Sequence, residues 1–160
     1  MRLQILAAGK MKAGPERELF ARYADRIGKA GRSLHFDGPS VVEIPESKLQ
    51  TARERKSEEA HQLLGKVDAG SAIILLDELG RDVSSKEFAN LLAAYQNDGV
   101  GTLGFAIGGP DGLGDEFRAR SNRTIRFGSM TWPHQFVRIM LAEQLYRAIT
   151  ILSGHPYHRE

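Results

Sequence analysis

Two short strand candidates, each running straight into a glycine-bearing turn, lie close together between Thr102 and Trp132. The first is Leu103-Gly104-Phe105-Ala106-Ile107, bounded by Gly101 before and by Gly108-Gly109-Pro110-Asp111-Gly112 after. The second is Ile125-Arg126-Phe127, which leads through Gly128-Ser129-Met130-Thr131-Trp132-Pro133-His134 into a long apolar segment. A buried strand that ends in a glycine turn is the ligand-binding arrangement of open α/β sheets. Ligands sit in the crevice outside the strands' carboxyl ends, and glycine lets backbone groups approach them closely. Two such loops from consecutive strands can close over one small molecule.

The rest of the chain supplies the sheet and its cover. Arg2 to Ala7 alternates and then turns apolar, predicting a first strand ended by Gly9. Pro15 opens a helix whose apolar positions Leu19, Phe20, Tyr23, Ala24 and Ile27 recur at helical spacing, with Gly28 and Gly31 to stop it. Asp37-Gly38-Pro39-Ser40 reads as a turn before a second strand, Val41 to Ile44, and Ser47 to Leu64 as a charged helix with a solvated face. The nearly continuous apolar run Ala72 to Asp77 predicts a central parallel strand covered on both faces. Phe88, Leu91, Leu92 and Tyr95 then mark a helix with several candidate caps between Asp82 and Glu87. Alternation of strands and helices predicts one α/β domain over residues 1–160, built on a mostly parallel sheet.

The last helix, about His134 to Leu152, is apolar nearly all round and so must be buried on more than one side. A homodimer with this helix in the interface satisfies that demand; a central position within the monomer is the alternative.

With 41% hydrophobic residues the chain can build a core, and with no cysteine it has neither a disulfide framework nor a thiolate metal site. The apolar run at the amino terminus is too short for a signal peptide, and no stretch is long enough to span a bilayer, so a cytoplasmic protein with no membrane and no metal partner is expected. Net charge is +2, unevenly spread: from Phe117 onward there are seven arginines, no lysine and two acids. Arginine without lysine suits bidentate phosphate or carboxylate contacts, or an ordinary charged surface.

Gly99-Val100-Gly101-Thr102-Leu103-Gly104 spells G-x-G-x-x-G, but it follows a helix and opens a strand, the reverse of the dinucleotide fingerprint. Asp77 with Glu78 reads as a cap or surface turn rather than paired catalytic carboxylates. The tail His155-Pro156-Tyr157-His158-Arg159-Glu160 crowds hydrogen-bonding and titratable groups into six positions, more than a frayed terminus needs.

Taken together, Ile107-Gly108-Gly109-Pro110-Asp111-Gly112, then Trp132-Pro133-His134 with Arg138, then Glu143-Gln144-Leu145-Tyr146-Arg147-Ala148, and the closing His155 to Glu160 resemble the large-subunit ribosomal RNA pseudouridine methyltransferases of the SPOUT superfamily. The resemblance covers the whole chain. It implies an α/β SPOUT domain with a C-terminal trefoil knot, a homodimer, and S-adenosylmethionine bound in the knot. It further implies methylation of ring nitrogen 3 of a pseudouridine in 23S ribosomal RNA on the assembled ribosome. The family's cofactor contacts fall here on Leu76, Gly108 and Phe127, Gly128, Ser129, Met130, Thr131 and Trp132.

The ring N–H must lose its proton for nitrogen to attack, so the reaction needs a base or cations that stabilise the anion. On the family's pattern His158 is the candidate base. Arg159 would hold carbonyl oxygens or a phosphate, Tyr157 would stack or donate a hydrogen bond, and His134 with Arg138 would line the rim. A noncatalytic ribosome-binding or assembly protein that uses the arginine-rich half is the rival reading. A nicotinamide enzyme is a second rival, opposed by the misplaced glycine fingerprint.

Overall fold

The computed structural model describes residues 1–158. Five strands form one sheet in the order β2-β1-β4-β3-β5: β1 (Arg2–Ala8), β2 (Asp37–Ile44), β3 (Ala72–Asp82), β4 (Thr102–Ile107) and β5 (Arg123–Arg126). Every pairing between neighbours is parallel. Five α-helices connect or follow them: α1 (Pro15–Gly31), α2 (Ala52–Leu64), α3 (Ser85–Asn97), α4 (Asp115–Arg120) and α5 (His134–Leu152), with a 3-10 turn at Arg32–Leu34.

Strand alternation divides the core into two layers. Leu3, Ile5, Ile74, Leu103, Phe105 and Ile107 face α1, α3 and α5, while Leu6, Ala8, Ile73, Leu75 and Ala106 face α2 and α4. Because all strands are parallel, the segments after β1, β2, β3 and β4 emerge along one edge, and the glycine turn after β4 joins them there.

Three expectations change. Asp37 to Ser40 is not a turn but the start of β2. The register slips between Arg2↔Asp37 and Gln4↔Ser40, which places Pro39 in an irregularity on an edge strand, where a missing N–H costs no ladder bond. The charged helix begins at Ala52 and not Ser47, because Thr51 and Glu54 form a capping box there.

The third change concerns α5, whose bounds match the expected ones but whose cover comes from its own subunit. It lies between α1 and α3 over the sheet, and Leu141, Leu145 and Ile149 are fully buried in the monomer. A helix on the middle of a sheet face meets the sheet beneath it and a helix on each side, so little of its circumference needs a partner. What stays open is at its start, where Phe136 is 48% exposed.

The misplaced fingerprint is accounted for: Gly99 ends the α3 region at φ +75°, and Gly104 lies inside β4. Among the described residues, no helix is long and apolar enough to cross a membrane, and no group of three or more His, Cys, Asp or Glu side chains is placed to hold a metal.

Candidate active site

A cleft of about 620 Å³ opens at the carboxyl edge of the sheet, within the roughly 300–1,000 Å³ range of small-molecule sites. Its floor is the end of β3 and β4, Leu76 and Ile107. One wall is the turn Gly108 to Gly112, and the other is the loop from Phe127 to Pro133 with His134 and Val137 from the first turn of α5.

The turn is shaped by its glycines. A Cβ on Gly108 would lie 2.5 Å from the carbonyl carbon of Gly112, and Gly112 itself sits at φ +85°, where a side chain is strained. Gly112 N–H donates to Gly109 O at 2.9 Å, closing the turn on itself.

Behind the turn, α2 holds it in place. The buried carboxylate of Glu59 accepts from Gly109 N–H at 3.3 Å and from Ser47 N–H at 2.9 Å. One helical turn earlier, Arg55 donates to Asp111 from Nε at 2.6 Å and from Nη2 at 3.2 Å, a bidentate pair. That guanidinium keeps the Asp111 carboxyl below its usual pKa. The face of α2 expected to be merely solvated thus anchors the glycine turn. Helical spacing of charges shows which residues share a face but not what that face meets.

Two ion pairs bring further charged side chains to the cleft, Asp77 and Arg118 from one and Arg126 from the other. Asp77, its side chain 10% exposed, accepts from Arg118 at 3.1 Å, while its other oxygen accepts from Leu79 N–H at 2.9 Å. Of the expected cap or surface turn, the bond to Leu79 N–H supplies a local turn, but the side chain is largely buried and lines the cleft. Arg126 pairs with Asp82 at 2.8 and 3.0 Å. The indole N–H of Trp132 donates to Phe127 O at 3.1 Å, tying the ends of the second loop together.

The family model described as "Predicted SPOUT methyltransferase" matches residues 1–158. The chain belongs to the SPOUT methyltransferase family. "Ribosomal RNA large subunit methyltransferase H" of Chelativorans sp. (strain BNC1) is 53% identical over 160 residues, covering 100% of this chain and 92% of that one. The protein of the same name from Brucella anthropi is 52% identical over 159 residues, 99% of each chain. Two solved structures share the fold. A "probable methylase family protein" from Haemophilus influenzae Rd KW20 superposes with a TM-score of 0.55 at 12% identity, over 99% of this chain and 70% of that one. A "Probable Methyltransferase" from Bordetella pertussis Tohama I gives 0.53 at 15% identity over 92% of each.

Within this SPOUT domain the expected cofactor positions converge. Leu76, Gly108, Phe127, Gly128, Met130, Thr131 and Trp132 line one cleft, and Ser129 is exposed in the same loop but off the lining. His134 lines the rim. Its Nε2 is buried 3.3 Å from Glu46 Oε1, without the alignment of a hydrogen bond.

Arg138 departs from expectation, because its side chain is 1% exposed and does not reach the cleft. It turns under the segment after β1, pairing with Glu43 and donating to Gly9 O at 2.9 Å. Burial pulls its pKa below the usual value, opposed by Glu43. One helical turn after His134, Arg138 shares that residue's face but lies a turn farther from the cleft, where it locks β1 and β2 to the helix.

The tail is also away from the cleft of its own chain. The Tyr157 hydroxyl donates to Glu143 at 3.1 Å, its ring packs edge-on to Tyr146 at 4.7 Å, and Arg147 lies 5.0 Å above it. Burial, then hydrogen bonding, pushes the Tyr157 pKa up. His158 Nδ1 is 3.4 Å from Arg147 Nη1. Arg147 is thirteen residues beyond His134, roughly 20 Å along a helix rising about 1.5 Å per residue. Arg159 lies outside the described residues. Residues that sequence reasoning missed are Glu59, Arg55, Asp77 and Arg118; the last two carry a faint signal, a carboxylate at a buried strand's end and an arginine after the glycine turn.

Proposed function

We propose that this chain is an S-adenosylmethionine-dependent methyltransferase that modifies ring nitrogen 3 of a pseudouridine in 23S ribosomal RNA on the ribosome, working as a cytoplasmic homodimer. The observation that carries the reading is the convergence of the glycine turn and the 127–133 loop on one cleft of cofactor size. The names of relatives matched along the full chain supply the substrate.

The cleft suits the cofactor. Leu76 and Gly108, which line the cleft, and the Phe127-to-Trp132 loop bring backbone donors and acceptors to it, and Ile107 and Val137 add apolar surface. When bound, S-adenosylmethionine supplies the electrophilic methyl. The protein's tasks are to hold the base in line, exclude water and manage one proton. His158 takes the N3 proton, Arg159 stabilises the developing anion, and Tyr157, whose hydroxyl is committed to Glu143, contributes by stacking.

Since the described tail packs on the middle of its own α5, these groups reach a cleft by crossing to a partner subunit. Leu79, Met130, Trp132 and Phe136 leave large apolar side chains exposed about the cleft and the start of α5, which suits such an interface. A knotted path is also part of the reading. Ile125 pairs with Leu76 and again with Arg81, and a Cβ on Gly80 would lie 2.4 Å from the Ile125 carbonyl carbon, so β3 wraps closely about the strand that feeds the second loop.

The test is methyl transfer. Assembled ribosomes lacking the modification are incubated with the protein and isotopically labelled S-adenosylmethionine, and the 23S RNA is digested for mass spectrometry. Label on a pseudouridine base is expected; transfer to no nucleotide of 23S RNA, with a properly folded protein, would leave the noncatalytic reading in its place.

A further inference from the structure

The arginine-rich C-terminal part, which composition nominates for RNA, is largely committed to the protein itself. Arg118 pairs with Asp77 at 3.1 Å, Arg126 with Asp82 at 2.8 Å, Arg147 with Glu143 at 2.5 Å, and Arg138 with Glu43. Arg120 donates to Ser71 O at 2.9 Å. A cation already holding a carboxylate must break that pair to bind a phosphate.

Within that part Arg123, at the start of β5, is exposed and unpaired among the described residues; a cluster of uncommitted cations lies elsewhere. Lys10, Lys12, Lys48 and Arg53 are exposed and have no carboxylate or hydrogen-bond partner among the described residues. Lys10 and Lys12 follow β1, Lys48 follows β2, and Arg53 opens α2. All four therefore stand at the carboxyl edge of the sheet, the edge that carries the cleft.

They are mounted on fixed backbone. Met11, between the two lysines, is buried, and its N–H donates to Glu43 at 2.8 Å. Ser47 N–H is held by Glu59, and Arg55 Nη1 donates to Leu49 O at 3.0 Å and Gln50 O at 2.9 Å. The two segments also touch: a Cβ on Gly9 would lie 2.8 Å from Glu46 Oε1. Several acidic neighbours are engaged. Glu43 holds Arg138 and Met11, Glu46 sits beside His134, and Glu54 closes the capping box with Thr51. Glu16 and Glu18 belong to the start of α1.

We infer that Lys10, Lys12, Lys48 and Arg53 form the surface that receives the phosphodiester backbone of the substrate RNA beside the cleft. This rests on the proposed methylation of ribosomal RNA and places its RNA contact on the β1 and β2 edge. Backbone contacts of this kind fix position and register without reading sequence, leaving recognition of the base to the cleft.

The experiment measures binding, not turnover. Wild type, Lys10→Gln/Lys12→Gln, Lys48→Gln/Arg53→Gln and the fourfold variant are titrated against purified large ribosomal subunits and protein-free 23S RNA at several salt concentrations. Arg32→Gln/Lys66→Gln, two cations at the opposite edge that are exposed and unpaired among the described residues, is the charge-matched control. Each double variant should bind both targets about tenfold or more weakly, with the slope of log affinity against log salt reduced by about one for each phosphate no longer neutralised. The control should match wild type, and S-adenosylmethionine affinity should be unchanged throughout.

A fourfold variant with wild-type affinity and salt slope overturns the inference, as does an equal loss in the control. Weakened binding to subunits with unaltered binding to protein-free RNA would assign the surface to a ribosomal protein and overturn it as well. Wild-type protein that binds RNA through these residues yet transfers no methyl group would defeat the proposed activity while leaving the RNA surface standing.

Discussion

At Glu59 a single buried carboxylate decides the position of the glycine turn, because it holds Gly109 N–H on one side and Ser47 N–H on the other. Glu59→Ala should weaken S-adenosylmethionine binding about tenfold, in line with the roughly 1–3 kcal/mol lost when buried donors lose a charged acceptor. Glu59→Gln, which keeps an acceptor, should recover most of it; calorimetric titration reads both. Gly108→Val should abolish binding in a protein that still folds, since its Cβ would meet the Gly112 backbone at 2.5 Å. Unaltered affinity in that variant would remove the turn from the site. The tie between Arg55 and Asp111 sets a pH dependence. With the Asp111 pKa lowered by Arg55, the tie is complete above the ordinary aspartate value of about 3.9 and is lost only as pH falls through the lower folded value. Cofactor affinity should therefore gain nothing from this pair across neutral pH and should fall in acid, and Asp111→Asn should flatten that acid limb. At this scale the sequence was legible where chemistry shows as glycine and mute where it shows as charge. Gly108 and the 127–132 loop stand out against apolar strands, whereas nothing in the spacing of Glu59 or Arg138 tells a buried carboxylate or guanidinium from a surface one.

Helix α5 shows both how much of an element its own residues reveal and where that stops. Its bounds follow from Pro133 before it and the apolar run within it, but its cover depends on α1 and α3 lying on either side, which is a property of the sheet order and not of the helix. Leu145→Asp and Ile149→Asp should accordingly unfold the subunit rather than merely split a dimer, because each puts an unpaired charge into a fully buried position. Phe136→Asp, at the exposed start of the helix, should leave thermal stability of the subunit nearly unchanged and shift sedimentation toward monomer. A Phe136→Asp protein that sediments as wild type would take the start of α5 out of the interface. The same helix carries Arg138, and Glu43→Ala should destabilise the fold by about 3–5 kcal/mol in urea titration by leaving that guanidinium buried without its carboxylate.

Across the whole molecule, parallel strand order brings the cleft, the basic segments and the open end of α5 to one edge, while the described tail lies back along α5. Strand and helix alternation made the α/β class readable in advance. The close wrapping of β3 about β5 and the position of the described tail were not, since both depend on packing between segments far apart in sequence. If one subunit's cleft works with its partner's tail, neither Gly108→Val nor deletion of Tyr157 to Glu160 should support methyl transfer alone, the first lacking a cleft and the second a tail. The measurement is ribosomal RNA methylation by the two inactive proteins after subunit exchange. Each mixed dimer carries one intact pairing of two, and exchange of equal amounts makes about half the dimers mixed, so activity should return to about a quarter of the wild-type level. No recovery in demonstrated mixed dimers, or full activity in the truncated protein alone, would contradict a centre shared between subunits.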